Sequence, residues 1–206
     1  MVAVIPCCGL GTRMRMPKNK SKELLINPKT KEPLIKWHLD RCLEAGIRPL
    51  VLLRKEKKDL IKYCNVNHIS YLTMDPGKEW AETVYNSNEF WKEDNVLLFP
   101  DSVYNPINTL KHIKFGLESD SDACLGIFKV KSGKKWCILT DKGIYEKNPK
   151  MAGAKAAIGV FGFKKAFGLK LFKALAKNGF YKYGASKISF RTLESFKDLT
   201  RTGKIG

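Results

Sequence analysis

A chain of 206 residues is long enough for one large domain with its own core, and 44% hydrophobic against 28% charged residues puts it in the ordinary globular class. No apolar run approaches the ~20 residues of a membrane helix, and the apolar start lacks a basic leader and is too short for a signal peptide, so the expected location is cytoplasmic with no membrane partner. The net charge of +18 is spread along the chain, as in Lys55-Glu56-Lys57-Lys58, Lys129 to Lys135 and Lys164-Lys165; it suits polyanionic small molecules or nucleic acid, and solvated lysine-rich faces account for most of it.

Val2 to Ile5 is a short β-branched run and reads as a strand buried on both faces. A turn with Gly9 and Gly11 follows Pro6, and Thr12, Arg13, Arg15, Lys18, Lys20 and Lys22 then bring a hydroxyl and cations close behind it. A buried strand, a glycine turn and fixed cations make a cradle for a polyphosphate. The P-loop pattern is absent, and the dinucleotide fingerprint fails because Met14 stands where its third glycine belongs.

Pro28 to Glu32 reads as a turn, and Pro33 suits the first position of a helix. Leu34, Ile35, His38, Leu39, Cys42 and Leu43 recur at helical spacing, with Gly46 as the C-terminal cap and His38 packed in the apolar stripe. Pro49 to Leu53 is a second strand, Glu56 to Tyr63 a charged helix and His68 to Leu72 a third strand, an alternation typical of parallel β-α-β units. Met74 to Thr83 is a turn entering a helix, and Asn95 to Phe99 a fourth strand that ends in Pro100-Asp101-Ser102, where α/β sheets bind ligands. Asn105 to Leu117 is a helix and Asp122 to Val130 a strand; Trp136 to Thr140 and Ile144 to Lys147 form a hairpin about Asp141-Lys142-Gly143. Ala156 to Phe163 is an apolar strand, Ala166 to Lys177 an amphipathic helix closed by Gly179, and Lys187 to Leu193 a last strand. Six cysteines include no C-x-x-C pair and read mainly as core fillers, not a zinc site. Cys7 and Cys8 lie in the glycine turn, but no histidine stands near them in sequence to act as a base.

Gly9-Leu10-Gly11-Thr12-Arg13-Met14, then Pro17-Lys18 and Ser21-Lys22-Glu23-Leu24-Leu25, resemble the signature of the sugar-phosphate nucleotidylyltransferases. The resemblance runs on weakly through most of the chain and implies one Rossmann-like three-layer α/β/α domain over residues 1 to 206. That domain would have a mostly parallel central sheet, a small partly antiparallel substrate lobe near residues 130 to 160, and the extent of a minimal catalytic core. It implies that Cys8, Gly9, Leu10, Gly11, Thr12 and Arg13 bind the nucleotide, with Gly77 and Glu79 toward the base. Lys78 stands where the family has Thr, so the base stays open. Arg13, Lys22 and Asp101 take catalytic roles, and Asp101 and Asp198 bind Mg²⁺. Cys137 (for the family's Gly), Glu146, Lys147 and Gly159 bind the sugar phosphate. Asp101 as a turn cap, Glu146-Lys147 as a surface pair and Asp198 in a plain C-terminal turn are the structural alternatives.

The implied reaction joins an NTP to a sugar 1-phosphate or similar phosphorylated substrate, giving an NDP-sugar and pyrophosphate. Two alternatives stay open: a small cytidylyltransferase acting on phosphocholine, and an inactive relative that binds nucleotide or nucleic acid.

Overall fold

The computed structural model describes residues 1–9, 11, 14, 17, 20–28, 30–100, 102–103, 108–119, 121–130, 137–140, 143–146, 155–178, 190–193 and 200–201. For 102–103, 128–130, 137, 139–140, 143–146, 155–158, 178, 190–193 and 200–201 only the backbone is described. The elements in order are β1 (Val2–Pro6), a 3-10 turn (Lys22–Leu24), α1 (Leu34–Glu44), β2 (Arg48–Leu53), α2 (Lys58–Val66), β3 (Tyr71–Thr73), α3 (Trp80–Tyr85) and β4 (Asp94–Leu97). Then come β5 (Ser102–Val103), α4 (Thr109–Glu118), β6 (Ala123–Val130), β7 (Cys137–Thr140), β8 (Gly143–Glu146), β9 (Lys155–Lys164), α5 (Lys165–Asn178), β10 (Phe190–Leu193) and β11 (Thr200–Arg201).

Side-chain alternation along the first strands decides the layering. Ala3 and Ile5 of β1 and Val51 and Leu53 of β2 face one core, shared with Ile35 and Leu39 of α1, Leu60 of α2 and Ile113 of α4. Val2, Val4, Leu50 and Leu52 face the other, shared with Val84 of α3 and Phe167, Leu171 and Phe172 of α5. Both faces are covered by helices, so these strands read as unbroken apolar runs. The three-layer α/β/α architecture expected from the alternating elements is what forms.

Among the described residues the main path of the sheet runs β10-β6-β9-β4-β1-β2-β3. β4, β1, β2 and β3 are mutually parallel, and β10 is parallel to β6. β9 lies between β4 and β6 and is antiparallel to both. The expectation from sequence puts much of this segment in the smaller lobe; it is instead a central strand whose start also carries that lobe. The β7–β8 hairpin hangs on it through Ile138↔Ala157 and Leu139↔Ala156. Thr140 pairs with Gly143, so Gly143, expected in the turn, already belongs to β8.

Element ends differ by a few residues from expectation. Pro33 precedes α1 as its N-cap instead of opening it, because Ile26 and Pro33 form a bridge that holds its backbone extended. The charged helix runs from Lys58 to Val66, later than Glu56 to Tyr63, and β3 starts at Tyr71 because residues 67–68 still turn. The helix expected from Asn105 is described from Thr109. α1 ends as the glycine predicts. Gly46 has φ +64°, its N–H reaches Leu43 O at 3.0 Å, and Ile47 N–H reaches Cys42 O at 2.8 Å, a Schellman closure. His38 is packed, 2% exposed.

Candidate active site at the carboxyl edge of the sheet

The chain leaves β1 still bonded to its neighbour: Cys7 donates its N–H to Leu52 O at 2.7 Å. Cys7 and Cys8 are buried. Burial pushes the Cys7 thiol well up, with Glu23 adding to it and Lys57 and Lys22 opposing. Burial likewise pushes Cys8 up to about 11, against the attraction of Lys57 and Arg54. Thiols that hold their protons this firmly are poor nucleophiles, in line with the lack of a histidine near them in the sequence. Gly9 is exposed, and a Cβ built on it would meet nothing within 4 Å. Gly11 has φ +67°, a left-handed conformation that glycine adopts without penalty, and its carbonyl accepts Met14 N–H at 2.9 Å. Leu10, Thr12 and Arg13 lie outside the described residues.

Lys22 opens the 3-10 turn after this loop. Its neighbours are both anchored on the start of α2. Ser21 N–H and hydroxyl donate to the Asp59 carboxylate at 2.8 and 2.7 Å. Lys57 Nζ donates to Glu23 Oε2 at 2.7 Å, with both side chains 3% exposed or less. Glu23 Oε1 is buried without a hydrogen-bond partner. Glu23 raises the Cys7 thiol and Lys57 and Lys22 lower it, so all three charges act on the end of β1.

This corrects the reading of Lys55-Glu56-Lys57-Lys58 as a solvated run. Lys55, Glu56 and Lys58 are exposed, whereas Lys57 is 2% exposed. Nothing local marks it, because its burial depends on a glutamate 34 residues earlier. Asp59 and Arg54 are equally unmarked in the sequence. A Ser-x-Glu in the signature was the available signal, since buried polar groups require partners somewhere in the chain.

Gly77 donates its N–H to Thr83 Oγ1 at 3.1 Å, and a Cβ there would meet the Glu82 side chain at 2.5 Å. Glu79 is exposed at the N-cap of α3, where its carbonyl accepts Thr83 N–H at 3.2 Å. In the lobe, Cys137 of β7 stands directly opposite Glu146 of β8. Between Gly126↔Val160 and Ile127↔Ile158 the β6–β9 register skips Gly159, which is therefore the extra residue of a bulge. The backbone thus joins Cys137, Glu146 and Gly159 through one small antiparallel unit.

Asp101, Lys147 and Asp198 lie outside the described residues. β5, which begins just after Asp101, pairs antiparallel with β11, which begins two residues after Asp198. Among the described residues no cluster of three or more metal-binding side chains occurs, and no helix is long and apolar enough to cross a membrane.

No family model matches the chain. A UTP–glucose-1-phosphate uridylyltransferase of Escherichia coli (strain K12) is 44% identical to it over 62 residues, 29% of this chain and 20% of that protein. The enzyme of that name from Haemophilus influenzae is 42% identical over 64 residues, 30% of this chain and 21% of that protein. The match thus spans about a fifth of these curated relatives. A solved structure described as a glucose-1-phosphate thymidylyltransferase from Bacillus anthracis superposes with TM-score 0.76 at 15% identity, covering 99% of this chain and 90% of that one. A UDP-glucose pyrophosphorylase from Acinetobacter baumanii gives 0.73 at 16% identity, covering 98% and 88%. At these identities the superpositions establish a shared fold.

Proposed function

We propose that this chain, for which matched sequence and shared fold both support the sugar-phosphate nucleotidylyltransferase family, joins a nucleoside triphosphate to a sugar 1-phosphate and releases pyrophosphate. The observation that carries the reading is the loop leaving β1, with its left-handed Gly11, followed by the short turn bearing Lys22. The relatives named above act on glucose 1-phosphate or make UDP-glucose by name, which favours a sugar phosphate over phosphocholine as acceptor.

An oxygen of the acceptor phosphate attacks the α-phosphorus in line. The new P–O bond forms as the bond to the β-phosphate oxygen breaks, and pyrophosphate leaves. The protein's share is positioning and charge neutralisation. Backbone amides of Gly9, Leu10, Gly11 and Thr12 hold the triphosphate beside Cys8, and Arg13 stabilises the departing pyrophosphate. Lys22 bridges the α-phosphate and the incoming phosphate. Gly77 and Glu79 lie on the base side, and Cys137, Glu146, Lys147 and Gly159 hold the sugar phosphate.

Mg²⁺ suits the donors assigned to it, since Asp101 and Asp198 offer hard carboxylate oxygens. Bound there, the ion would neutralise charge on the phosphates.

Pyrophosphate release should be measured over four NTPs, each with a panel of sugar 1-phosphates and with phosphocholine. Release that requires a sugar 1-phosphate is expected. Release with phosphocholine alone would move the acceptor to that class. Nucleotide or nucleic-acid binding without release would leave an inactive relative.

A further inference from the structure

Lys22 stands between two residues that are each tied to the same short stretch of α2. Ser21 gives two hydrogen bonds to Asp59 across 38 residues of sequence, and Glu23 is ion-paired with Lys57 across 34. Lys57 is the N-cap of α2 and Asp59 lies in its first turn. Asp59 Oδ1 also accepts Leu60 N–H at 2.8 Å, which seats the carboxylate on its own helix. Within the turn Leu24 N–H reaches Ser21 O at 3.0 Å and Leu25 N–H reaches Lys22 O at 3.1 Å; Leu25 O accepts Leu34 N–H at 3.0 Å, and Leu24 packs against the core. A single 3-10 turn is weak by itself, and lysine places a point charge on a flexible four-carbon stem. The residues on both sides of Lys22 are thus tied to the start of α2.

We propose that Asp59 and the buried Glu23–Lys57 pair are positioning residues: they clamp the turn Lys22–Leu24 onto α2 and so aim Lys22 at the phosphates. The proposal rests on the reading of Lys22 as the phosphate-bridging cation. The two ties have different characters. The Asp59 tie is a directional, charge-assisted pair of hydrogen bonds and fixes the height of the turn. The Glu23–Lys57 pair is buried, with both side chains 3% exposed or less. Glu23 neutralises Lys57 and ties the turn to the start of α2. A misplacement of about 1 Å at such a group costs about 100-fold in rate.

The test uses Asp59→Ala, which removes both acceptors without touching substrate, and reads two quantities. Hydrogen exchange at the Leu24 and Leu25 amides should quicken by about tenfold or more while β1 and β2 keep their protection. The kcat should fall by about 10- to 100-fold with the KM for NTP nearly unchanged, as for a group that acts in the transition state. Asp59→Asn, which keeps one acceptor, should recover part of both. Ser21→Ala, which loses the hydroxyl bond alone, gives a smaller change of the same kind and serves if Asp59→Ala does not fold. Unchanged exchange at Leu24 and Leu25 in a folded variant overturns the clamp. Quickened exchange with undiminished kcat overturns its link to Lys22. If the unaltered protein transfers no nucleotide, the function proposed above fails, and the exchange measurement still decides whether the clamp exists.

Discussion

A buried charge survives only beside its opposite, and Lys57 lies beside Glu23 for that reason. Removing one member of a buried pair strands the other, at a cost of about 3–5 kcal/mol, whereas replacing both by apolar groups is far milder. Lys57→Met should therefore lower the urea midpoint strongly, and Glu23→Gln with Lys57→Met should restore part of it. A double variant no better than Lys57→Met would show that the pair is not coupled. The buried thiols make a second prediction at this scale. Burial pushes Cys42 from its ordinary 9.0 up to about 12. Between those values the unfolded chain has released this proton and the folded chain keeps it, so stability falls as pH rises through the interval, by up to about 1.4 kcal/mol per pH unit. Below pH 9 this contribution is complete. Urea titrations at about pH 8 and about pH 10 should show a steeper loss in the parent than in Cys42→Ala; parallel losses would contradict it.

The elements around the site depend on a few conformations only some residues accept. Gly11 takes φ +67° in the loop leaving β1. Alanine in that region pays roughly 1–2 kcal/mol, so Gly11→Ala should cost about that in stability and raise the KM for NTP by re-aiming the loop. An unchanged urea midpoint with unchanged KM would mean the loop does not need this conformation. β9 shows why an element's type is easier to read than its place. Its apolar run announces a strand, but the partners β4 and β6 are decided by chain entering from far upstream. The bulge at Gly159 is equally a property of pairing, since only the register with β6 leaves that residue over.

At the scale of the whole molecule, distant segments must meet for phosphate chemistry, and the β5–β11 ladder is where the middle and the end of the described chain join. If Asp101 and Asp198 hold one Mg²⁺, each change to Asn should raise the Mg²⁺ concentration needed for turnover, and the double change should cost little more than the worse single one. Additive losses would mean the acids act separately. Loss confined to Asp101→Asn would leave that acid alone at the metal.

Local chemistry was enough for the strands β1 and β2, for the glycine cap of α1 and for the left-handed Gly11 after β1. Strands covered on both faces must be continuously apolar, and a helix end or tight turn needs a residue that tolerates positive φ; such demands are met by neighbours in the chain. Position in the sheet, the pairing of Cys137 with Glu146 and the clamp on Lys22 needed the fold. Each depends on residues brought together by pairing and packing, and Lys57 looks like any surface lysine until Glu23 is beneath β1 beside it. The sequence could show that cations follow the first strand; only the tertiary structure decided which of the later charges turned inward to hold one of them in place.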